Sequence, residues 1–158
     1  IGHNALELNI TADNNTGIGK SALYATTANN NTGVGYHALS NNTTGTANVS
    51  VGAVALDANT SGVGNTSSGY NSLSSNTTGD ENTATGYGAL FSNTASDGNT
   101  AFGAYALNST TGASNTGVGH KALYSNAAGD KNVAVGNEAL SANTSGGRNT
   151  AVGYQSLI

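Results

Sequence analysis

Apolar residues recur along this chain at a nearly constant interval. Ten glycines are separated by 16 or 17 residues, and a leucine follows each of them by four positions. An alanine or a serine precedes every one of these leucines. The anchor glycines are Gly2, Gly19, Gly35, Gly52, Gly69, Gly86, Gly103, Gly119, Gly136 and Gly153. Such a fixed period indicates a repeat architecture, in which each unit stacks on its neighbours.

A short polar and β-branched segment precedes each anchor glycine. From the second unit onward an asparagine stands four residues before the anchor, followed by Thr or Val and, two positions later, mostly by Ile or Val. This alternation predicts a short β-strand. Because Val49 and Val133 replace threonine in the first column, we expect both β-branched columns to face the interior.

A unit of 16 or 17 residues suits one coil of a β-solenoid, whose coils stack about 4.8 Å apart. The Gly- and Asn-rich units do not favour helix. The sequence therefore predicts an all-β fold, a parallel β-solenoid of about ten coils that forms a single domain over residues 1–158.

Stacking of coils places identical columns above one another. We expect a leucine spine and an asparagine ladder in which each side chain bonds the next. The anchor glycines, and those of the connectors such as Gly45 and Gly79, should take positive φ or lie where a side chain would clash. The structural ladder residues are Asn31, Asn48, Asn82, Asn132, Asn149, Leu39, Leu73, Leu90 and Leu140.

A single coil has little apolar surface to bury. At about 25 cal/mol per Å², one leucine and a few small groups fall short of a backbone ordering cost of roughly 1–2 kcal/mol per residue. We therefore expect hydrogen bonds between coils and association with further copies, as a homotrimer or by end-to-end assembly. Open coil ends also require caps or partners.

Charge and composition exclude several classes of partner. The net charge is −4, and the four cations, Lys20, Lys121, Lys131 and Arg148, are scattered. Nucleic-acid binding needs clustered cations, and membrane insertion needs about 20 consecutive apolar residues, so neither is expected. The absence of cysteine suits an extracellular protein without disulfides. We expect the chain to be a segment of a longer fibrous protein.

The repeated phrase resembles known surface-fibre repeats. NVSVG at 48–52 and NVAVG at 132–136 resemble the N-x-V-A-I-G-x-x-S repeat in the heads of YadA-like trimeric autotransporter adhesins. NTAVGYQSL at 149–157 is similar to repeats of bacteriophage tail fibres. The resemblance covers essentially the whole chain. It implies a left-handed β-roll, three chains around one axis, and attachment to a cell surface from an extracellular, cell-surface or virion location.

Aromatic residues recur directly after several anchor glycines. Rings with an apolar face and a polar edge can stack on sugars. They can equally serve chain–chain packing or cover the surface, and both readings stay open. The possible surface-binding residues are Tyr36, Tyr70, Tyr87, His120 and Tyr154.

Catalytic and metal chemistry are not expected. The three histidines, His3, His37 and His120, fall in different coils, too far apart to share one ion. The acids lie mostly at turn positions of the connectors, with no apolar pocket to shift one pKa against another. They are Asp80, Glu81, Asp97, Asp130 and Glu138. We therefore predict a non-enzymatic protein without cofactor.

Three functions remain as hypotheses. The first is a fibrous attachment segment that presents a receptor-binding surface for a cell-surface glycan or protein. The second is the subunit of a self-assembling extracellular filament. The third is an ice-binding solenoid, because a row of connector threonines repeats at the coil period: Thr43, Thr60, Thr77, Thr94 and Thr144.

Overall fold

The computed structural model describes residues 1–158 and confirms the all-β parallel solenoid. Nine three-residue strands form one parallel sheet in which each strand pairs with the next along the chain. The strands are β1 (Thr16–Ile18), β2 (Thr32–Val34), β3 (Val49–Val51), β4 (Thr66–Ser68), β5 (Thr83–Thr85), β6 (Thr100–Phe102), β7 (Thr116–Val118), β8 (Val133–Val135) and β9 (Thr150–Val152). No helix long and apolar enough to cross a bilayer is present.

The coils are bonded to one another around most of their circumference. Of 95 backbone hydrogen bonds, only 16 lie within the strands, so turns and connectors supply the rest. The amide of Leu39, for example, donates to the carbonyl of Ala55 at 3.0 Å. Register is kept throughout, since Thr83 pairs with Thr100 and Ala84 with Ala101. Like residues therefore stack on like, as the period predicts.

The prediction that the two β-branched columns face the interior is wrong. In every strand the middle residue is buried, and the two flanking residues are exposed or half-buried. The interior behind the strand is narrow: a Cβ added to Gly33 would lie 3.0 Å from Leu23 Cγ. Only small residues fit there, namely Gly17, Gly33, Ser50, Ser67, Ala84, Ala101, Gly117, Ala134 and Ala151.

The leucine spine forms the apolar half of the interior. From Leu23 to Leu123 every spine leucine is fully buried, and Leu140 is 5% exposed. Each adopts the left-handed backbone conformation, with φ of 52° at Leu73. That conformation costs an L-residue roughly 1–2 kcal/mol. Burial of the leucine side chain contributes about 1.5–3 kcal/mol and offsets the cost.

The anchor and connector glycines are required for different reasons. Gly69, an anchor, has φ of +138°, and its added Cβ would lie 2.6 Å from the carbonyl oxygen of Gly86. The connector residue Gly79 has no positive φ, yet an added Cβ would lie 2.5 Å from Asn76 Oδ1. The anchor thus meets both expected conditions, and the connector meets only the steric one.

Candidate functional site

The asparagine ladder joins consecutive coils through the backbone. Asn65 Oδ1 accepts the backbone N–H of Asn82 at 2.9 Å, and Asn65 Nδ2 donates to the carbonyl of Gly79 at 2.8 Å. The same pair of bonds recurs at Asn31, Asn48, Asn82 and Asn132. At Asn149 the side chain donates to Asn132 Oδ1 at 3.1 Å. Each amide mainly satisfies buried backbone groups, rather than only the next side chain.

A second buried ladder, which we did not predict, runs seven residues after each anchor glycine. Asn76 Nδ2 donates both to Asn59 Oδ1 at 2.9 Å and to the Gly79 carbonyl at 3.0 Å. The Gly79 carbonyl therefore accepts one amide from each ladder. The signal in the sequence is the recurring asparagine itself: Asn9, Asn42, Asn59, Asn76, Asn93, Asn126 and Asn143.

The two 16-residue coils replace this asparagine with threonine. Their connectors are one residue shorter. The backbone carbonyl that the ladder side chain bonds therefore lies two residues after the threonine, instead of three residues after the asparagine. The shorter side chain of Thr26 reaches it, with Oγ1 donating to Ala28 at 3.4 Å. In the other short coil this position is Thr110, which stands one coil after Asn93 in the same column. The Oδ1 atom of Asn93 is the one buried side-chain polar atom without a hydrogen bond. Coil length and residue choice are thus linked.

Replacing Asn65 with aspartate should make folding depend on pH. Asn65 is fully buried, and an ionised carboxylate would face the Gly79 carbonyl without a donor between them. The other carboxylate oxygen would still accept the Asn82 N–H, but a buried charge without a paired cation costs about 3–5 kcal/mol at neutral pH. Burial raises the pKa of such a carboxyl above its unfolded value, so stability is greatest below about pH 4 and falls as pH rises. Urea unfolding at pH 4 and pH 7 measures the difference.

The matched control is Asn137→Asp at an exposed position after an anchor glycine. It adds the same charge to the surface, where a substitution changes stability by less than about 0.5 kcal/mol. Equal pH dependence in the two variants would contradict the role assigned to the buried ladder.

The connector acids also stack one coil on the next. The Oδ1 atom of Asp80 accepts the Val63 N–H at 2.7 Å, and Asp97 Oδ1 accepts the Asp80 N–H at 2.8 Å. Asp130 caps Ala113 in the same way at 2.7 Å. Glu81 stands next to this column, and Glu138 accepts a hydrogen bond from Gln155 at 2.8 Å. No three His, Asp or Glu side chains come close enough to hold a metal ion, and the three histidines stay apart.

Three of the five candidate surface residues belong to one aromatic cluster. Tyr70 stacks on Tyr87 with ring centroids 5.4 Å apart and planes 19° apart. Tyr87 meets Tyr105 at 5.1 Å and 66°, and Tyr105 in turn faces His120 and Tyr124, each at 6.4 Å. The linking residue Tyr105 was missed because it stands two positions after its anchor, not one.

The other two candidates lie outside this cluster. Tyr36 packs against His37, with ring centroids 4.3 Å apart, and the Lys20 ammonium lies 5.9 Å from the Tyr36 ring centroid. Tyr154 lies in the last coil and is 72% exposed. The predicted aromatic column is therefore interrupted, and only its middle part forms a continuous surface.

A groove of about 260 Å³ opens beside the Tyr87 and Tyr105 rings. Its floor is Gly88, which stands two residues after its anchor, where neighbouring coils carry Asn71 and Tyr105. The hydrogen bond from Asn108 Nδ2 to the Gly88 carbonyl, at 2.9 Å, holds this floor in place. The hydroxyl of Tyr105 raises the pKa of Tyr87, first by hydrogen bonding and then by charge repulsion. The lining residues are Asn71, Tyr87, Gly88, Phe91, Tyr105 and Asn108.

The outward residues of the sheet form a second surface, here named the strand face: the first and third residues of β1–β9. All of them are uncharged, and apolar side chains among them, such as Val51 and Phe102, are 43% and 58% exposed. The connector threonines behave differently. Thr43 Oγ1 donates to the Thr60 carbonyl at 2.9 Å, and Thr60 Oγ1 to the Thr77 carbonyl at 3.0 Å. Those hydroxyl protons are used within the protein.

Comparison of the chain with known proteins gave no match. No family model matches the chain, and neither the curated proteins nor the solved structures contain a significant match. Function is therefore inferred from the strand face and from the aromatic cluster.

Proposed function

We propose that the chain is a non-enzymatic, rod-like segment of an extracellular attachment protein, such as a cell-surface adhesin or a phage tail fibre. One observation carries the proposal: the repeated residues bond to one another inside the rod, while the aromatic residues occupy its variable surface positions. Eight steps between nine strands, at about 4.8 Å each, give a rod of roughly 40 Å. Such a rod can hold a receptor-binding surface away from a cell or a particle.

The strand face supports a homotrimer in which three rods pack side by side. It is continuous over nine strands and carries no charge. Half of its side chains are apolar and the rest are Thr or Ser, and exposed apolar side chains that run together along a surface mark interaction sites. Rows of mostly β-branched side chains spaced about 4.8 Å apart also complement the same rows on another copy. Packing of the strand faces would supply the apolar burial that a single thin rod lacks.

Light scattering with size-exclusion chromatography tests this assembly. Three chains of 15.4 kDa give about 46 kDa, and we expect this mass for the wild type. The double variant Val51→Lys and Val135→Lys places two charges on the strand face and should run as a monomer. Because both positions are exposed in the isolated chain, the monomer should keep its fold.

Ser61→Lys with Ala128→Lys is the control, since it adds the same charge to exposed connector positions. This variant should remain trimeric. A monomeric wild type, or a trimer that survives the strand-face charges, would contradict packing through the strand face.

A filament subunit is the alternative function. Strand β9 pairs with β8 alone and leaves an open edge, whereas on the outer side of β1 the amine of Ile1 donates to the Gly17 carbonyl at 2.6 Å. Open edges pair with further strands when nothing covers them. Polymers that lengthen with protein concentration would favour this function over a discrete trimer.

Ice binding is the second alternative, and the strand face favours it more than the connector threonines do. Seven strands begin with an outward threonine, which gives a regular row on a sheet: Thr16, Thr32, Thr66, Thr83, Thr100, Thr116 and Thr150. Ice crystals grown at micromolar protein concentration should then be faceted. Round crystals would dismiss this function.

A further inference from the structure

We propose that the groove beside Gly88 is a binding site for one pyranose ring of a neutral glycan. The inference rests on the proposed attachment function and gives that function a ligand class. It is carried by the side chains that line the groove, by the missing side chain at Gly88, and by the absence of charge among the lining residues.

The walls of the groove are aromatic and already ordered. The Tyr87 and Tyr105 rings meet at 66°, and Tyr70 stacks behind Tyr87 with centroids 5.4 Å apart. Phe91 adds a third ring, 37% exposed. Sugar rings present C–H faces that pack on such amphipathic aromatic surfaces. Since neighbouring rings restrain Tyr87, little side-chain freedom is lost on binding.

Two carboxamides supply the polar contacts. Asn71 makes no side-chain hydrogen bond within the protein, so its amide and carbonyl are both free for ligand hydroxyls. Asn108 uses one amide proton on the Gly88 carbonyl and keeps further hydrogen-bonding capacity. A few placed polar groups among aromatic side chains are typical of small-molecule sites. Without a cation in the lining, the site favours a neutral sugar over an acidic one.

The size of the groove limits the ligand. Its 260 Å³ lies below the roughly 300–1,000 Å³ of sites for drug-sized molecules, so one ring occupies it and the rest of a glycan extends along the rod. The two other depressions on the surface differ in chemistry. One, at Asp130, Lys131 and Arg148, is charged and has no aromatic side chain. The other lies around Ser21, and its lining includes one tyrosine, Tyr24, and one histidine, His37.

Saturation-transfer NMR of the full chain with lactose, chitobiose and mannobiose tests the site, and sialyllactose serves as the acidic comparison. We expect transfer to one neutral disaccharide and shifts of the Tyr87 and Tyr105 ring signals at sugar concentrations on the order of 10 mM. The Gly88→Asn variant should weaken this binding at least about tenfold. Its added Cβ lies 3.2 Å from Tyr105 Cδ1, so the side chain fills the groove.

The fold of the Gly88→Asn variant should be intact, because Asn71 holds the same column with φ of 57° against 60° at Gly88. Ser21→Asn, in the same column with φ of 55°, is the matched control and should bind the sugar like the wild type. Tyr105→Ala should lose binding as Gly88→Asn does. Equal circular dichroism spectra of all variants exclude a folding defect.

The proposal is overturned if no neutral disaccharide binds, if only sialyllactose binds, or if Gly88→Asn and Ser21→Asn bind equally well. A wild type that is trimeric but binds none of these sugars contradicts the groove alone and leaves the attachment rod standing. A sugar-binding wild type that fails to form a trimer supports the groove and contradicts packing through the strand face.

Discussion

Replacing Leu73 with aspartate should abolish the folded rod. Leu73 is fully buried in the middle of the spine, within one apolar cluster that includes Leu56 and Leu90. Loss of a buried leucine costs about 2–5 kcal/mol, and an unpaired buried carboxylate adds several more. The sum approaches the roughly 5–15 kcal/mol that stabilises a whole domain. Far-UV circular dichroism should show loss of the β-sheet signal.

Leu90→Asp should have the same effect, since Leu90 holds the same column one coil later. Tyr70→Asp introduces an identical group at a side chain that is 50% exposed, and it should leave the β-sheet signal unchanged. A Leu73→Asp variant with a wild-type spectrum would contradict the stacked spine as the core of the molecule.

Replacing an anchor glycine such as Gly69 with alanine should destabilise the rod far more than the addition of one methyl group at the surface. At φ of +138° the backbone lies in a region reserved for glycine, where strain costs about 1–3 kcal/mol. The added Cβ would also lie 2.6 Å from the Gly86 carbonyl oxygen, which is backbone and cannot rotate away. Overpacking of this kind costs about 1–3 kcal/mol more. We expect a loss of about 2–6 kcal/mol in urea unfolding.

Gly64→Ala separates backbone strain from steric overlap. Gly64 also has positive φ, +70°, but its added Cβ meets nothing closer than Glu81 Cγ at 3.8 Å. This variant should lose only about 1–2 kcal/mol. Similar losses at Gly64 and Gly69 would contradict the close approach of successive anchors as the reason for glycine.

The direction of the strand columns shows where sequence reasoning failed. Alternation at period two states that Val49 and Val51 share a face, but it does not state which face. The column between them indicates the buried face. Its residue is Gly, Ala or Ser in every strand, whereas the flanking columns range from Ser68 to Phe102. Uniformly small residues indicate the crowded side. The structure shows why, since leucines from the spine fill that side.

The sequence by itself determined the solenoid and its in-register stacking. In a solenoid each column has the same column as its neighbour above and below, so the period alone specifies the leucine spine and the position of the asparagine ladder. Physical chemistry then requires a bond for every buried amide. What the period could not give was the partner of each amide, because the carbonyl of Gly79 comes from a different column.

Only the tertiary structure decided which variable residues meet. Tyr87, Gly88 and Phe91 stand one, two and five residues after their anchor Gly86, so no single column contains the groove. Their approach depends on the angle between columns around the coil, which left-handed residues such as Asn71 and Tyr105 set. The repeat length determines which residues of successive coils stack on one another. The backbone turns within each coil determine which columns lie side by side.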